Sequence, residues 1–124
     1  MLEELEGIKK EADKYIDDEC IYFALLDLDY NEKVMDDIRF WQERIEELWS
    51  GGKIDETKYL WLMDISWDLT LLSRACTYND YGSRLDKMPF KERDFRKKLK
   101  IFTEVLEKDN ITKEDYNNYR PWEE

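Results

Sequence analysis

Apolar residues recur at helical spacing along most of the chain, and this pattern predicts an all-α fold. In residues 31–49 they follow alternating intervals of four and three, which places them on one face of a single helix. We expect this helix to have Asn31 as its N-cap and to end at Ser50-Gly51-Gly52. Its predicted apolar stripe consists of Val34, Ile38, Trp41, Ile45 and Leu48.

Two further helices are predicted in the middle of the chain. Residues 55–78, with Asp55 as N-cap, carry a wide apolar arc that is typical of the most buried helix of a bundle. Residues 79–83 then interrupt the pattern, and a following Met-Pro pair closes a loop. The next helix is predicted over about residues 90–108. Its apolar stripe consists of Phe95, Leu99, Phe102 and Leu106.

At the N-terminal end the spacing predicts one helix that continues through Cys20 and Phe23 to Leu28. Residues 21–28 are apolar on nearly all sides, so a strand is the alternative there. We favour a helix because no second strand is present to pair with it. Cys20 and Cys76 belong to no disulfide or metal motif, and we expect both to be small core residues in a reducing compartment.

The C-terminal end carries a capping-box pattern at residues 112–115 (Thr-Lys-Glu-Asp), ahead of a short helix that Pro121 would end. Scarce glycine (4 residues) and proline (2 residues) also favour helices over a turn-rich β fold. With 124 residues and 42% hydrophobic residues, the chain can bury one modest core. We therefore predict a single all-α domain, residues 1–124, built as a bundle of four to five helices.

Acidic residues are concentrated in the first half of the chain. Residues 1–68 hold 20 Asp and Glu against 8 Lys and Arg, whereas residues 69–124 hold 11 acids against 12 bases. The net charge of the whole chain is −11. Eight of its bases lie in residues 84–100, which we call the basic stretch. No apolar run approaches the ~20 residues that span a bilayer, and no secretion-signal core is visible. We expect a cytoplasmic protein of a bacterium or an infected host cell, with no membrane partner.

Two carboxylates fall on the apolar side of the central helix. On a wheel at ~100° per residue, Asp64 and Asp68 lie one turn apart inside its apolar arc. Asp27 takes a similar place if the first helix continues. A buried carboxylate must be paired, hydrogen-bonded, protonated or bound to a metal. We favour neutralisation by the basic stretch, through Arg84 or Arg93; exposure to water and a metal site are the alternatives.

The metal alternative is accompanied by a resemblance. Glu43-x-x-Glu46-Glu47 followed by Asp64-x-x-x-Asp68 resembles the acidic EExxE and ExxD motifs of all-helical nucleoside triphosphate pyrophosphohydrolases. This resemblance implies Mg²⁺ held by Asp64, Asp68, Glu43 and Glu47, with metal-activated water attacking a nucleotide phosphate. The spacing of the second motif differs from the family's pattern. The hydrolase and its Mg²⁺ are therefore an alternative, and the favoured prediction has no cofactor.

Other catalytic chemistry is sparse. The chain has no histidine, which excludes Ser/His/Asp and Cys/His nucleophile arrangements. It also has no glycine-rich phosphate loop, because Gly51-Gly52 is explained as a helix end. We therefore expect a non-catalytic protein.

The helix predicted over residues 31–49 carries acids on the side opposite its apolar stripe, with one phenylalanine beside them. Spaced carboxylates can occupy a groove built for phosphates, and an aromatic ring can anchor such a contact. An ordinary solvated surface is the alternative. The predicted partner-binding residues are Asp36, Phe40, Glu43, Glu47, Asp17 and Asp18.

These observations predict a small acidic protein that binds and inhibits a basic, nucleic-acid-binding protein. The chain is similar in size, acidity and lack of catalytic motifs to viral anti-CRISPR and antirestriction inhibitors and to nuclease-immunity proteins; this likeness implies inhibition by mimicry of nucleic acid. Direct nucleic-acid binding is not expected, because a protein with a net charge of −11 repels the phosphate backbone. A homodimer, in which a basic face of Arg93, Lys97 and Lys100 meets the acidic half of another copy, is an alternative partner.

Overall fold

The computed structural model describes residues 1–78 and 83–119, and these residues confirm the all-α prediction. Four helices are long, and three short helices and one 3-10 turn connect or flank them. The elements are α1 (Glu3–Asp17), α2 (Ile21–Ala24), α3 (Leu28–Ser50), α4 (Glu56–Tyr78), α5 (Ser83–Lys87), a 3-10 turn (Phe90–Arg93), α6 (Phe95–Glu107) and α7 (Lys113–Tyr119).

The four long helices form an up-down-up-down bundle. Low-numbered residues of each helix contact high-numbered residues of its neighbour, so all neighbours are antiparallel. The α1–α3 contact is the least extensive of the four. The pairs that establish the directions are Glu11–Trp41 and Tyr15–Asp37 (α1/α3), Asn31–Ser73 and Gln42–Ser66 (α3/α4), Lys58–Leu106 and Asp68–Lys98 (α4/α6), and Lys9–Glu107 and Ile16–Arg96 (α1/α6).

The predicted apolar stripes of α3 and α6 form the centre of the core. Every residue of both stripes is buried, which confirms them. The ring of Trp41 stacks on that of Phe102 with 5.5 Å between centroids, and so joins the two helices across the bundle. The start of α4 is also as predicted, since Asp55 Oδ1 accepts a hydrogen bond from the amide of Lys58.

The prediction of a single N-terminal helix is wrong, because α1 ends at Asp17. Asp18 Oδ1 accepts a hydrogen bond from the amide of Cys20, a local turn that competes with continued helix. Cys20 is consequently exposed, not a core residue, and Cys76 is only half-buried. The segment after the break is helix, as favoured over a strand, but α2 covers only Ile21–Ala24.

The start of α3 also differs from the prediction. Asp27 is exposed and is the N-cap, with its carboxylate accepting from the amide of Tyr30, so its predicted inward position is wrong. Asn31 is not a cap but a fully buried residue inside the helix. Its side-chain amide donates to the carbonyls of Leu25 and Ser73, at 2.8 and 2.7 Å.

The C-terminal elements follow the prediction more closely. The 3-10 turn and the N-cap Asp94 separate α6 from the loop, so the α-helix begins at Phe95. The capping box is confirmed by bonds in both directions between Thr112 and Asp115, at 3.1 and 3.3 Å. Pro121 and most of the break predicted at residues 79–83 lie outside the described residues. In the described part of the chain, no helix is both long and apolar enough to cross a membrane.

Candidate functional site

The outward face of α3 places the predicted acidic stripe in solvent. Asp36, Glu43 and Glu47 are all exposed, on the side of the helix opposite the buried Trp41 stripe. Phe40 lies beside them on the same helix and is 47% exposed. We call Asp36, Phe40, Glu43 and Glu47 the acidic face.

Basic residues border the acidic face without cancelling its charge. Arg39 Nη2 lies 2.7 Å from Asp36 Oδ1, and Arg44 Nη1 lies 3.8 Å from Glu47 Oε2. Both pairs are exposed, and such pairs are weak and exchange readily with other partners. Since α3 holds seven acids and three bases, its own charge is −4.

A groove of about 430 Å³ adjoins the acidic face and lies between α1 and α3, the neighbouring long helices with the least extensive mutual contact. Glu3 and Glu4 from α1 line one side, and Phe40 and Arg44 line the other. The guanidinium of Arg44 lies over the ring of Phe40, 5.1 Å from its centroid. Gly7 also lines the groove, and an added Cβ there would meet no atom within 4 Å.

The structure separates Asp17 and Asp18 from Glu43 and Glu47. Asp17 is exposed at the end of α1, whereas Asp18 is half-buried and accepts a hydrogen bond from the hydroxyl of Tyr30 at 3.3 Å. Tyr30 precedes Glu47 by 17 residues, which is about 25 Å along α3. The two aspartates therefore lie near the opposite end of α3 from Glu43 and Glu47.

Lys98 of the basic stretch approaches Asp68. Both side chains are fully buried, with 3.5 Å between Lys98 Nζ and Asp68 Oδ2. For Asp68 the favoured interpretation was thus right about the basic stretch. It was wrong about Arg93, whose guanidinium donates to the carbonyls of Met88 and Asp86. The side chain of Arg84 lies outside the described part of the structure.

The four residues of the metal alternative are not brought together. Asp64 is half-buried and accepts a hydrogen bond from the hydroxyl of Tyr116, while Asp68 is in the core. Glu43 and Glu47 are exposed on another helix. Among the described residues, no group of three or more acids, cysteines or histidines could hold a metal ion.

The sequence interpretation missed a second exposed surface at the end of the bundle that carries α2 and the 3-10 turn. Tyr22, Phe23 and Phe90 are exposed there. One signal was present, since Phe90 follows Pro89 and precedes the periodic stripe of α6. Phe23 is exposed because α1 ends at Asp17, and no proline or glycine in the sequence indicates that helix end.

Comparison with known proteins adds no relative: no family model, curated protein or solved structure matches this chain.

Proposed function

We propose that this protein is a non-catalytic inhibitor whose acidic face covers the nucleic-acid-binding surface of a basic protein. The observation that carries the proposal is the exposure of Phe40 between Asp36 and Glu43 on an outward helix face. One exposed ring alone is ordinary, but a ring that is flanked by carboxylates and lines a groove has the arrangement of an interface anchor.

The chemistry of the acidic face suits a surface that binds phosphates. Its carboxylates, from Asp36 to Glu47, present negative charge along about 16 Å of α3. The net charge of −11 on the whole chain speeds the approach of a basic partner. The adjoining groove lets a partner's arginine reach Glu3, Glu4 and the ring of Phe40. Carboxylates in these positions occupy the places of phosphates, and so exclude the partner's nucleic acid.

The proposed target is a nuclease, a CRISPR effector or another basic nucleic-acid-binding protein in the cytoplasm of a bacterium or an infected cell. The proposed inhibitor class is the anti-CRISPR, antirestriction or nuclease-immunity type. Nucleic acid itself is not a proposed ligand, because like charges oppose its approach. A homodimer is not required by this mechanism.

The test is a comparison of immobilised wild type with the variant Asp36→Lys/Glu43→Lys/Glu47→Lys. Lysates are passed over both at low and at physiological salt, and bound proteins are identified and then assayed for binding of duplex DNA. We expect the wild type to retain a DNA-binding protein, DNA to compete for it, and the variant to bind it at least about tenfold more weakly.

The matched control is Glu56→Lys/Glu104→Lys/Glu114→Lys, which makes the same change in net charge at exposed positions on other helices. This control variant should retain the partner as the wild type does if binding depends on the acidic face and not on total charge. Equal retention by the wild type and the acidic-face variant at both salt concentrations would refute the proposal. A partner that binds DNA and this protein at the same time would refute the mimicry.

A further inference from the structure

Large apolar side chains are exposed where α2 and the 3-10 turn meet. Phe90 is 89% exposed and Phe23 is 81% exposed, and Leu26 on the same segment as Phe23 is also exposed. Single exposed apolar residues are ordinary, but a group of them at one end of a small protein is typical of an interaction site. We define the basic aromatic patch by the residues that line one groove there: Tyr22, Phe90, Lys91, Arg93 and Lys97.

The centre of the patch is a groove of about 320 Å³ between Tyr22 and Phe90. Its floor is fixed by Asp94, the N-cap of α6, whose carboxylate accepts from the amide of Arg96 at 3.0 Å and from the hydroxyl of Tyr22. Arg93 is fixed as well, through its bonds to two carbonyls of the preceding loop. A groove held this way loses little conformational entropy when a ligand binds.

The patch is locally basic in an acidic protein. Residues 90–100 hold six bases and two acids, and Lys91, Arg93 and Lys97 are exposed around the groove. Of the two acids, Asp94 is engaged as the N-cap and Glu92 is half-buried. The groove therefore combines apolar walls with a positive rim.

We propose that the basic aromatic patch binds an acidic peptide segment of a protein partner, with one aromatic or aliphatic side chain of that segment seated between Tyr22 and Phe90. Carboxylates flanking this side chain pair with Lys91 and Lys97. A polyphosphate chain or an anionic membrane would extend beyond the patch and be repelled by the net charge of −11 on the rest of the protein. A short peptide contacts only the patch. This partner differs from the basic target of the acidic face, so the two proposals stand or fall separately.

The experiment selects short random peptides displayed on phage against the full-length protein at low salt. Enriched peptides are synthesised with a fluorophore, and their binding is measured by anisotropy to the wild type and to Phe90→Ser/Lys91→Glu/Lys97→Glu. We expect enrichment of Asp and Glu around an aromatic or aliphatic residue. We expect at least about tenfold weaker binding to the variant and weaker binding by the wild type at physiological salt.

The matched control is Trp67→Ser/Lys10→Glu/Lys113→Glu, which also removes one exposed aromatic ring and reverses two exposed lysines, at positions that do not line the patch groove. It should bind the peptides as the wild type does, and circular dichroism should show that both variants are folded. No enrichment, enrichment of basic peptides, or equal binding to the patch variant would overturn the proposal. Tight patch-dependent binding of single-stranded DNA, of anionic vesicles or of a second copy, without binding of acidic peptides, would also overturn it.

Discussion

Asp68 of α4 and Lys98 of α6 face each other in the core with both side chains 0% exposed. Lys98 Nζ also donates to the hydroxyl of Tyr119, at 2.8 Å, which connects the pair to α7. The pair thus joins α4, α6 and α7 in the core. Removing one partner leaves the other charge in a medium that solvates it poorly.

The first prediction concerns this buried pair. Lys98→Met alone should lower the free energy of unfolding by about 3–5 kcal/mol, because it removes the buried ammonium that faces the Asp68 carboxylate. Combining it with Asp68→Leu should recover most of that loss, since both charges are then replaced by apolar groups. Urea denaturation of the wild type, the two single variants and the double variant gives all four free energies. A double variant that is less stable than either single variant would contradict this account.

The second prediction concerns the buried amide of Asn31. Ser73 Oγ donates to Asn31 Oδ1 at 3.0 Å, and the Asn31 amide donates to two carbonyls, so Asn31 ties α3 both to α4 and to the chain after α2. Asn31→Leu should lower the free energy of unfolding by about 1–3 kcal/mol for each buried polar group left unmatched. Hydrogen exchange should also show faster exchange of α2 amides.

The comparison for Asn31 is Gln42→Leu, which removes a hydrogen bond to Ser66 but no backbone anchor. It should destabilise the protein less than Asn31→Leu and leave exchange in α2 unchanged. Unchanged exchange of α2 in Asn31→Leu would mean that Asn31 does not hold that segment.

The sequence was a good guide wherever one apolar stripe determined one helix. The stripes of α3 and α6 predicted their buried faces, because a helix of that length can bury only one side. Lys98 was overlooked because its charge suggests solvent. Its position three residues after Phe95 and four before Phe102 nevertheless places it on the buried face. The spacing of the apolar residues therefore places Lys98 on the buried face, whereas its residue type wrongly suggests an exposed position.

Tertiary partners determined what the sequence could not predict. Helical periodicity runs without interruption through Asp18. There the carboxylate accepts from the amide of Cys20 and from the hydroxyl of Tyr30 of α3, and α1 ends. Asparagine is a residue type typical of helix N-caps. In the structure, however, Asn31 is buried and its side-chain amide donates to carbonyls of two other segments. The exposure of the acidic face followed from the α3 wheel. The α1–α3 groove and the basic aromatic patch depend on how neighbouring helices approach, which periodicity does not contain.

The third prediction compares two glycines. Gly7 lies inside α1, and an added Cβ would meet nothing, so Gly7→Ala should raise the free energy of unfolding by about 0.5–1 kcal/mol. Gly52 has φ = +72°, and Gly52→Ala should lower it by about 1–2 kcal/mol, because a Cβ disfavours that conformation. Urea denaturation of both variants measures the difference. Destabilisation by Gly7→Ala would show that the α1–α3 groove does not have the open space described.

The last prediction concerns alkaline pH. Burial and hydrogen bonding to Asp37 raise the pKa of Tyr15, and burial and hydrogen bonding to Asp94 raise the pKa of Tyr22 to about 12. In the unfolded chain a tyrosine loses its proton near pH 10. The folded protein therefore holds more protons than the unfolded chain above about pH 10, and the stability from these tyrosines is lost as pH rises from there through their folded-state pKa values.

Lys58 acts in the opposite direction. Burial lowers its pKa below 10.5, so in the window between its folded and unfolded values the unfolded chain holds more protons, and its contribution to stability rises with pH. Burial raises the pKa values of Tyr30 and Cys76 as well, and the hydrogen bond to Asp13 raises that of Lys9, so five groups with a raised pKa oppose Lys58. The free energy of unfolding, measured in urea from pH 8 to 11, should therefore fall above about pH 10. Tyr15→Phe should be less stable at pH 8 but lose less with rising pH, and equal losses in both proteins would exclude Tyr15 as a source of the dependence.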